Sequence, residues 1–264
     1  AQAKGSGEDS GIAVGRLANA NGTNAQAMGV NARATGPKSL AIGSDSVAQS
    51  ERDIAIGAEA EAANSPRINN TITRGVAIGN KSIANGGVSI GDSASSQSFG
   101  VAIGYRAGAD NTTFGDSYAN VTIGANTRVG DVGVKAGQGV AIGSAVGTGQ
   151  GAWAKGDQSI AIGANTVAKG NSSIVIGGDD LDAVAASSSS YEKRIFDKNG
   201  NQVGSTVTVS KNLNQIFSSL TGRGEILSLE GKNSIDGREY KRYQGTESGQ
   251  GAVALGVKAK AGDI

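Results

Sequence analysis

The chain has 264 residues, of which 43 are Gly and only 2 are Pro, and 24 basic and 23 acidic side chains give it a net charge of +1. This balance gives no general attraction to nucleic acid or to an anionic membrane. Cys and His are absent, so disulfides, thiolate or His-ligated metal sites and Ser-His catalytic pairs are excluded, and no cofactor is expected. No apolar stretch approaches the length of a membrane-spanning helix, so this segment is not expected to contact a membrane.

A tetrad of the form aliphatic–small–aliphatic–Gly recurs twelve times. Its glycines are Gly15, Gly29, Gly43, Gly57, Gly79, Gly91, Gly104, Gly124, Gly143, Gly163, Gly177 and Gly256. The first four are 14 residues apart, and such a short period predicts a solenoid of stacked coils. Each tetrad predicts one short strand, and the small residues three and five positions after the glycine predict a second. One repeat of about 14 residues is then one two-stranded coil of an all-β roll, with coils about 4.8 Å apart.

The tetrad also predicts which side chains face inward. The aliphatic residues one and three positions before the glycine share one face of the strand. We expect them inside the coil, so that Ile42, Ile56, Ile78 and Ile142 are buried. The residue between them is Ala in nine of the twelve tetrads. On an outer face this uniformity predicts a close-packed interface between chains, although a weakly constrained small-residue face would give the same pattern. The interface candidates are Ala13, Ala27, Ala41, Ala55, Ala77, Ala102, Ala141 and Ala161.

The chain divides into three segments by composition and register. Residues 1–177 are tetrad repeats, residues 178–250 form an insertion, and residues 251–264 carry the last repeat. The insertion holds 19 of the 47 charged residues, which predicts a small decorated subdomain. The Asp-rich segment 179–182 could hold Ca²⁺ through clustered carboxylates, but the Gly-Asp nonapeptide periodicity of Ca²⁺-binding β-rolls is missing, which favours a solvated turn where the chain leaves the roll.

Turn and periodicity signals predict two hairpins and a helix in the insertion. Asn199-Gly200 predicts a type I′ turn between strands 191–196 and 202–209. Apolar residues with helical spacing predict a short amphipathic helix over 213–220. Asp236-Gly237 predicts a second hairpin, between 225–229 and 238–243.

The second predicted hairpin carries a basic and aromatic cluster that is a candidate partner-binding site. Its members are Arg223, Lys232, Arg238, Tyr240, Lys241, Arg242 and Tyr243. Tyr and Arg are enriched at binding hot spots. Acidic residues are interleaved with them, so a hairpin with paired surface charges is the alternative.

The repeats resemble a known family. Ser39–Ala48, Gly75–Gly79 and Ser159–Gly163 are similar to the repeats of the YadA-like head of trimeric autotransporter adhesins. The resemblance implies a left-handed parallel β-roll that associates side by side as a homotrimer. It also implies display on the bacterial cell surface, with an outer-membrane anchor in a C-terminal region absent from this chain. The insertion before the last repeat is similar to that of the Moraxella ubiquitous surface proteins.

These features favour a non-enzymatic virulence factor, an adhesin head that binds host extracellular-matrix or epithelial surface proteins, such as fibronectin or laminin, by multivalent contact. The alternative is a structural spacer or cap of a trimeric surface fibre whose binding sites lie elsewhere. An enzyme built on a β-helix is disfavoured, because a hexapeptide acyltransferase needs a period of six and a catalytic His.

Overall fold

A computed structural model of the chain describes residues 1–3, 10–63, 67–68, 71–72, 74–97, 99–108, 119–130, 136–145, 151–178, 188–212, 229–235, 238–243, 246–256 and 259–263. The regular elements of these ranges are all strands. The chain divides into two compact units, residues 1–178 with 245–264, and residues 179–244. The first unit is the roll.

Every tetrad supplies one strand of a twelve-stranded parallel sheet, hereafter the tetrad sheet. Its strands are Ile12–Val14, Gln26–Met28, Leu40–Ile42, Ile54–Ile56, Val76–Ile78, Val88–Ile90, Val101–Ile103, Val121–Ile123, Val140–Ile142, Ile160–Ile162, Ile174–Ile176 and Val253–Leu255. Neighbours pair tetrad on tetrad, so that Ala41 lies opposite Ala27 on one side and Ala55 on the other. The predicted parallel β-roll is therefore confirmed, and its handedness stays a prediction.

The opposite wall of the roll is divided into two parallel sheets. The seven-stranded sheet consists of Gln2–Ala3, Asn19–Ala20, Arg33–Ala34, Val47–Ala48, Glu61–Ala62, Ile83–Ala84 and Ser95–Ser96. The five-stranded sheet consists of Arg128–Val129, Trp153–Ala154, Val167–Ala168, Glu247–Ser248 and Lys260–Ala261. Between them, in the part of the chain that the structure describes, a bridge joins Ser95 to Gly108, and the N–H of Gly108 donates to the carbonyl of Thr127 at 3.0 Å. A further antiparallel pair, Arg67–Ile68 with Thr71–Ile72, lies in the insertion of the fourth coil.

Small side chains from both walls fill the interior of each coil. In the coil around Gly43, Ser39 and Ala41 from the tetrad strand face Ser46 and Ala48 from the second strand, and all four are buried. The residues three and five positions after the glycine therefore point inward as predicted. Opposing walls that meet through Ala and Ser leave no room for Ile or Leu. The core is correspondingly built from Ala, with few larger residues.

The backbone turns repeat every seven residues, half the length of a coil. Left-handed φ angles occur at seven successive non-glycine positions: Leu17, Asn24, Asn31, Lys38, Asp45, Arg52 and Glu59. Each is the third residue of a turn in which the fourth residue donates its N–H to the carbonyl of the first, as Ala25 does to Gly22 at 3.0 Å. Asn31 also donates its side-chain amide to the Asp45 carboxylate at 2.7 Å, and this bond is the main cause of the lowered pKa of Asp45.

The tetrad glycines allow successive coils to approach closely. Gly43 has a φ of 129°, and a Cβ atom built there would lie 2.2 Å from the carbonyl oxygen of Gly57 in the next coil. That distance is far inside van der Waals contact, so a side chain at this position would force the two coils apart. The positive φ would add strain to any other residue.

Two polar side chains, the buried Asp53 and the half-buried Asn120, replace turn hydrogen bonds where an insertion interrupts the coil. Asp53 accepts the N–H of Gly75, just after the fourth-coil insertion, at 2.8 Å and the N–H of Ser50 at 2.7 Å. Burial raises the pKa of Asp53, and these N–H groups offset part of the rise. Asn120 has the same role at the insertion that ends just before the strand Val140–Ile142. Its side-chain oxygen accepts the N–H of Gly139 at 2.9 Å, and its side-chain NH₂ donates to the carbonyl of Ala136 at 3.2 Å.

The second unit contains two antiparallel hairpins in its described residues. Ser188–Lys193 pairs with Val207–Asn212, and Leu229–Ile235 pairs with Arg238–Tyr243. The first hairpin is confirmed, but its strands are Ser188–Lys193 and Val207–Asn212 rather than 191–196 and 202–209, with an isolated bridge between Phe196 and Gln202 nearer the turn, and its turn is not type I′. Asp197 and Asn201 close a three-residue loop in which only Gly200 has a positive φ, because a type I turn followed by a left-handed Gly satisfies the same strand twist.

Two further predictions for the insertion have different outcomes. The first strand of the second hairpin is Leu229–Ile235 rather than 225–229, since its ladder with Arg238–Tyr243 runs as far as the pair Ile235 and Arg238. The predicted helix over 213–220 lies outside the described residues.

The chain returns to the roll earlier than the predicted residue 251. Glu247–Ser248 pairs with Val167–Ala168 on one side and with Lys260–Ala261 on the other. Residues 246–250 therefore complete the second wall of the last coil, and the predicted insertion boundary at 250 is too late.

Candidate association face and ligand surfaces

The outer face of the tetrad sheet is a continuous aliphatic surface. The residues one and three positions before each glycine form its two columns, which are about 50 Å long for twelve strands at ~4.8 Å spacing. Nine of these side chains are 37 to 64 % exposed: Ile12, Val14, Met28, Ile90, Ile103, Ile123, Ile176, Val253 and Leu255. An exposed apolar patch of this extent marks a surface that associates with another molecule.

The alanines predicted as the interface face the interior instead. Ala27, Ala41, Ala55, Ala77, Ala102, Ala141 and Ala161 are at most 1 % exposed within a single chain, and Ala13 is partly buried against the same core. They have no surface left to offer a second chain, so this prediction is wrong. The uniform Ala column reflects the thinness of the coil, because the opposite wall stands too close for a larger side chain.

The expected burial of the large aliphatic residues is wrong for the same reason. Ile42, Ile56, Ile78 and Ile142 lie on the outer face of the tetrad sheet and are only half-buried by their neighbours in the same column. Alternation along a strand separates the two faces, and the size of the interior decides which face turns inward. The candidate association face is thus the aliphatic pair of columns rather than the Ala column between them.

A comparison with known protein families identifies the repeat. The family model described as the YadA head domain repeat (2 copies) matches residues 7–32, 20–46, 34–60, 138–166, 154–179 and 248–263. The chain carries a YadA-like head domain. All matched segments fall on the roll, at both ends of the tetrad sheet. No curated protein matches the chain.

YadA-like heads are the surface-exposed, in general non-enzymatic heads of trimeric autotransporter adhesins of the outer membrane. They are homotrimeric and generally contact host proteins. Among the described residues of this YadA-like head, no helix is long and apolar enough to cross a membrane.

The basic and aromatic cluster lies in the second hairpin of the insertion, apart from the family match. The strand register places Lys232 opposite Lys241, and Tyr240 opposite Asn233. Since alternate residues belong to opposite faces, Arg238, Tyr240 and Arg242 share one face of the hairpin. Lys232, Lys241 and Tyr243 share the other, and Arg223 lies outside the described residues. The backbone therefore divides the predicted single cluster into two faces.

The structure does not test the acidic segment 179–182 as an ion site, and another acidic side chain of the insertion, Asp197, is held by its own turn. Asp179, Asp180 and Asp182 lie outside the described residues. The Asp197 carboxylate accepts the backbone N–H groups of Asn199 and Asn201 at 2.8 and 2.9 Å, and these bonds lower its pKa. It closes the hairpin loop and is engaged with its own turn.

Proposed function

We propose that this chain is the head of a homotrimeric adhesin that binds host extracellular-matrix or epithelial surface proteins, such as fibronectin or laminin. The observation that carries the proposal is the aliphatic outer face of the tetrad sheet. In a side-by-side trimer, three such faces turn toward a common axis and remove their apolar area from water. A cyclic arrangement closes, so it uses every face without extending into a fibre.

The trimer presents its remaining surfaces outward in three copies. Weak sites repeated three times on one head, and on many heads of one cell, add through effective concentration. A roll whose interior is filled with Ala and Ser offers surface rather than a cleft, and surface contact suits a protein ligand. The two faces of the second hairpin, with their Arg, Lys and Tyr residues, are the proposed host-contact site.

The strand register supplies matched variants to test the hairpin site. Arg238→Gln with Arg242→Gln removes two charges from one face, and Lys232→Gln with Lys241→Gln removes two from the other. Binding of the full chain to immobilised fibronectin and laminin should weaken for the face that makes the contact and persist for the other. Arg33→Gln with Lys38→Gln, in the roll, is the charge-matched control. Loss of binding only in that control would place adhesion on the roll.

Deletion of the insertion separates adhesion from a structural role. Joining Gly178 to Gly245 through a Gly/Ser linker keeps Glu247–Ser248 in the second wall. We expect this variant to remain trimeric and to lose host-protein binding. Unchanged binding to every host protein that the intact chain binds, together with a lower melting temperature, would favour the spacer or cap role.

A further inference from the structure

The tetrad strands of the roll begin at one corner of each coil and end at another. The start corner consists of the residues six and five positions before each tetrad glycine, and the end corner consists of the residues one and two positions after it. Successive turns stack along both corners. The N–H of Arg52 donates to the carbonyl of Pro37 at the start corner at 2.9 Å, and the N–H of Glu59 donates to the carbonyl of Ser44 at the end corner at 2.8 Å. Each corner is therefore a column of turns that runs along the roll.

The two corners carry opposite charge in the third to sixth coils, which are the coils of Gly43, Gly57, Gly79 and Gly91. The start corner has three cations and one anion there, namely Lys38, Arg52, Arg74 and Glu51. The end corner has three anions and one cation, namely Asp45, Glu59, Asp92 and Lys81. The net charges are thus +2 and −2 on the two sides of one aliphatic face, in a chain whose total is +1.

The ion pairs that these residues form within one chain join members of the same corner. Arg52 lies 3.4 Å from Glu51 at the start corner, and Lys81 lies 3.8 Å from Glu59 at the end corner. The four side chains are 40 to 58 % exposed, so both pairs are weak. A pair within a corner leaves the net charge of that corner unchanged, and each corner keeps its surplus.

The other neighbours of these residues do not remove the surplus. Asp45 accepts a hydrogen bond from the side-chain amide of Asn31 at 2.7 Å, and this donor is neutral. The insertion between the fourth and fifth coils has one charged residue in its sequence 64–73, the cation Arg67. Arg16, at the end corner of the first coil, also attracts Asp45. With Arg16 counted, the end corner still has three anions against two cations.

The symmetry of a side-by-side trimer brings unlike corners together. When three parallel rolls turn their tetrad sheets toward a common axis, the start corner of each chain lies beside the end corner of the next, and the ring closes after three copies. Rotation about the axis keeps every coil at its level. The left-handed turn residues alternate between the corners every seven residues, so successive turns differ in level by half a coil, or about 2.4 Å. Glu59 of one protomer then lies at a level between Arg52 and Arg74 of its neighbour, and Asp45 lies half a coil before Arg52.

The aliphatic face alone does not fix how the chains are oriented. Its two columns repeat Ile, Leu and Val with little change, so a chain that is reversed end to end keeps its apolar contacts. Reversal exchanges the two corners of that chain. Two of the three junctions then bring like charges together, whereas three parallel chains bring cations against anions at every junction. Charge complementarity of this kind contributes to specificity more than to affinity.

We propose that Arg52 and Arg74 at the start corner of one protomer pair with Asp45 and Glu59 at the end corner of the next, and that these pairs set the parallel orientation of the three chains. The proposal rests on the trimer of the proposed function and names the residues that orient it. The partner is a second copy of this chain, because the complementary charges lie on the two sides of the same aliphatic face and at matching levels.

Charge reversal in the full chain tests the pairing by the sign of its effect. Arg52→Glu with Arg74→Glu should raise the protein concentration at which half of the trimer dissociates by about tenfold at low salt, since exposed pairs each contribute modestly at three junctions. Glu59→Arg should weaken the trimer of the otherwise unaltered chain but strengthen that of the Arg52→Glu and Arg74→Glu variant. Both effects should diminish as salt rises.

The matched control for charge reversal lies on the second wall. Arg33→Glu with Arg128→Glu makes the same change in net charge on the outer faces of that wall and should leave the dissociation concentration unchanged. Arg52 and Glu59 have the same left-handed backbone, with φ of 64° and 55°, so each position accepts the residue type of the other. If Glu59→Arg has the same effect in both backgrounds, or the control weakens the trimer equally, the pairing is wrong.

A disulfide tests the contact directly, because the chain has no Cys of its own. Arg52→Cys with Glu59→Cys should give a covalent trimer on oxidation. The strand Ile54–Ile56 keeps the two positions of one chain about 10 Å apart, beyond the ~7 Å limit for a disulfide. Gln158→Cys with Glu59→Cys also joins a start corner to an end corner but at levels six coils, or about 29 Å, apart, and should give no covalent product.

The outcomes separate this pairing from the trimer itself. A trimeric chain that forms no disulfide between positions 52 and 59, or forms one equally between 158 and 59, would overturn the corner pairing and leave the trimer standing. A monomeric unaltered chain would overturn both.

Discussion

The two walls of the roll are built from the same coils but differ in what they present outward. The tetrad sheet runs unbroken through twelve strands and repeats the same aliphatic pair on its outer face. The second wall is broken after Ser95–Ser96, and its outward residues change from Asn19 and Arg33 to Trp153 and Lys260. Uniformity on one wall suits contact with identical copies of the chain, whereas variety on the other suits contact with different ligands. The inner faces show no such difference, since both consist mainly of Ala, Ser and Thr, with one buried Val on each, Val175 and Val129.

Charge placed on the outer face of the tetrad sheet should have the largest effect, because this is the wall that we propose contacts identical copies of the chain. Ile42→Glu, Ile56→Glu and Ile78→Glu together would put three carboxylates per chain at the proposed threefold axis, where like charges meet without water. We expect a complete change from trimer to monomer in light scattering. Val47→Glu, on the outer face of the second wall, is the control and should leave the trimer intact. A monomeric wild-type chain at micromolar concentration would contradict the proposed assembly.

Enlarging the interior should be the next largest effect. Ala55 is fully buried between the two walls, so Ala55→Leu must push them apart. Overpacking of this kind typically lowers the free energy of unfolding by about 1–3 kcal/mol. The neighbouring Ile56→Leu, which changes shape without volume on the outer face, should cost less than about 1.5 kcal/mol. Denaturant unfolding of both variants measures the difference, and equal losses would mean that the assigned inner face is wrong.

Changes to the polar residues at the insertions, Asp53 and Asn120, should have an effect of comparable size that depends on pH. The pKa of Asp53 is raised in the folded chain, so the folded state holds its proton more tightly than the unfolded state. Stability should therefore fall as pH rises from the unfolded pKa of ~3.9 through the folded pKa. Asp53→Asn removes this titration, but its NH₂ group would face one of the two N–H donors, those of Ser50 and Gly75, in place of an acceptor. This variant should therefore lower the free energy of unfolding by about 1–3 kcal/mol at neutral pH.

Asn120→Asp is the reciprocal variant. The substitution replaces the NH₂ group that donates to the carbonyl of Ala136 by a carboxyl oxygen. The stability of the variant should therefore also decline as the pH rises through the pKa of the new carboxyl group. The free energy of unfolding, measured from pH 3 to 8 for the wild type and both variants, shows which carboxyl group causes the decline. If the free energy of unfolding of the wild type does not change over this range, Asp53 does not ionise in the folded chain.

The smallest expected effect is at the Asp197 loop in the other unit. Its pKa is lowered by backbone N–H donors, so the ionised form is favoured in the folded hairpin. The ionised Asp197 stabilises the folded hairpin at pH values above the pKa that Asp197 has in the unfolded chain. This stabilisation is lost as the pH falls through the lower pKa that Asp197 has in the folded chain. A carboxyl NMR titration should place Asp197 below the ordinary Asp value, whereas an unshifted midpoint would mean that the loop is not formed in solution.

The sequence was sufficient to predict the strands of the tetrad sheet, because Gly at the fourth position and an aliphatic residue at the third recur in every coil, and the first position is aliphatic in all but one, where it is Gln26. It was insufficient to orient them. Period-two alternation is the same whichever face is buried, and the usual rule that large residues go inside fails for a coil whose walls meet through Ala41 and Ala48. The distance between the two walls decides which face of the strand is buried, and that distance follows from the way the coil closes in three dimensions.

Other features escaped prediction for different reasons. The left-handed turn positions are occupied by Lys38, Arg52 and Leu17 as well as by Asn, so residue type does not mark them. Arg128, Trp153 and Lys260 are far apart in the sequence, and insertions of unequal length hide their common column. The insertion before Glu247 likewise concealed a strand of only two residues.

The direction of the hydrogen bonds between coils has a mechanical consequence. Each coil is joined to the next by N–H donors and carbonyl acceptors along the length of the roll, such as Gly57 to Ile42 at 2.8 Å and Val47 to Ala60 at 2.9 Å. A pull applied along that direction loads the intervals between coils in series, so that the weakest one opens first, and opening one interval of a regular coil frees a segment of about 14 residues. Fully extended, that segment measures about 48 Å in place of a ~4.8 Å rise. Under tension the roll would yield coil by coil, dissipating work in many small steps while the remaining coils keep their form.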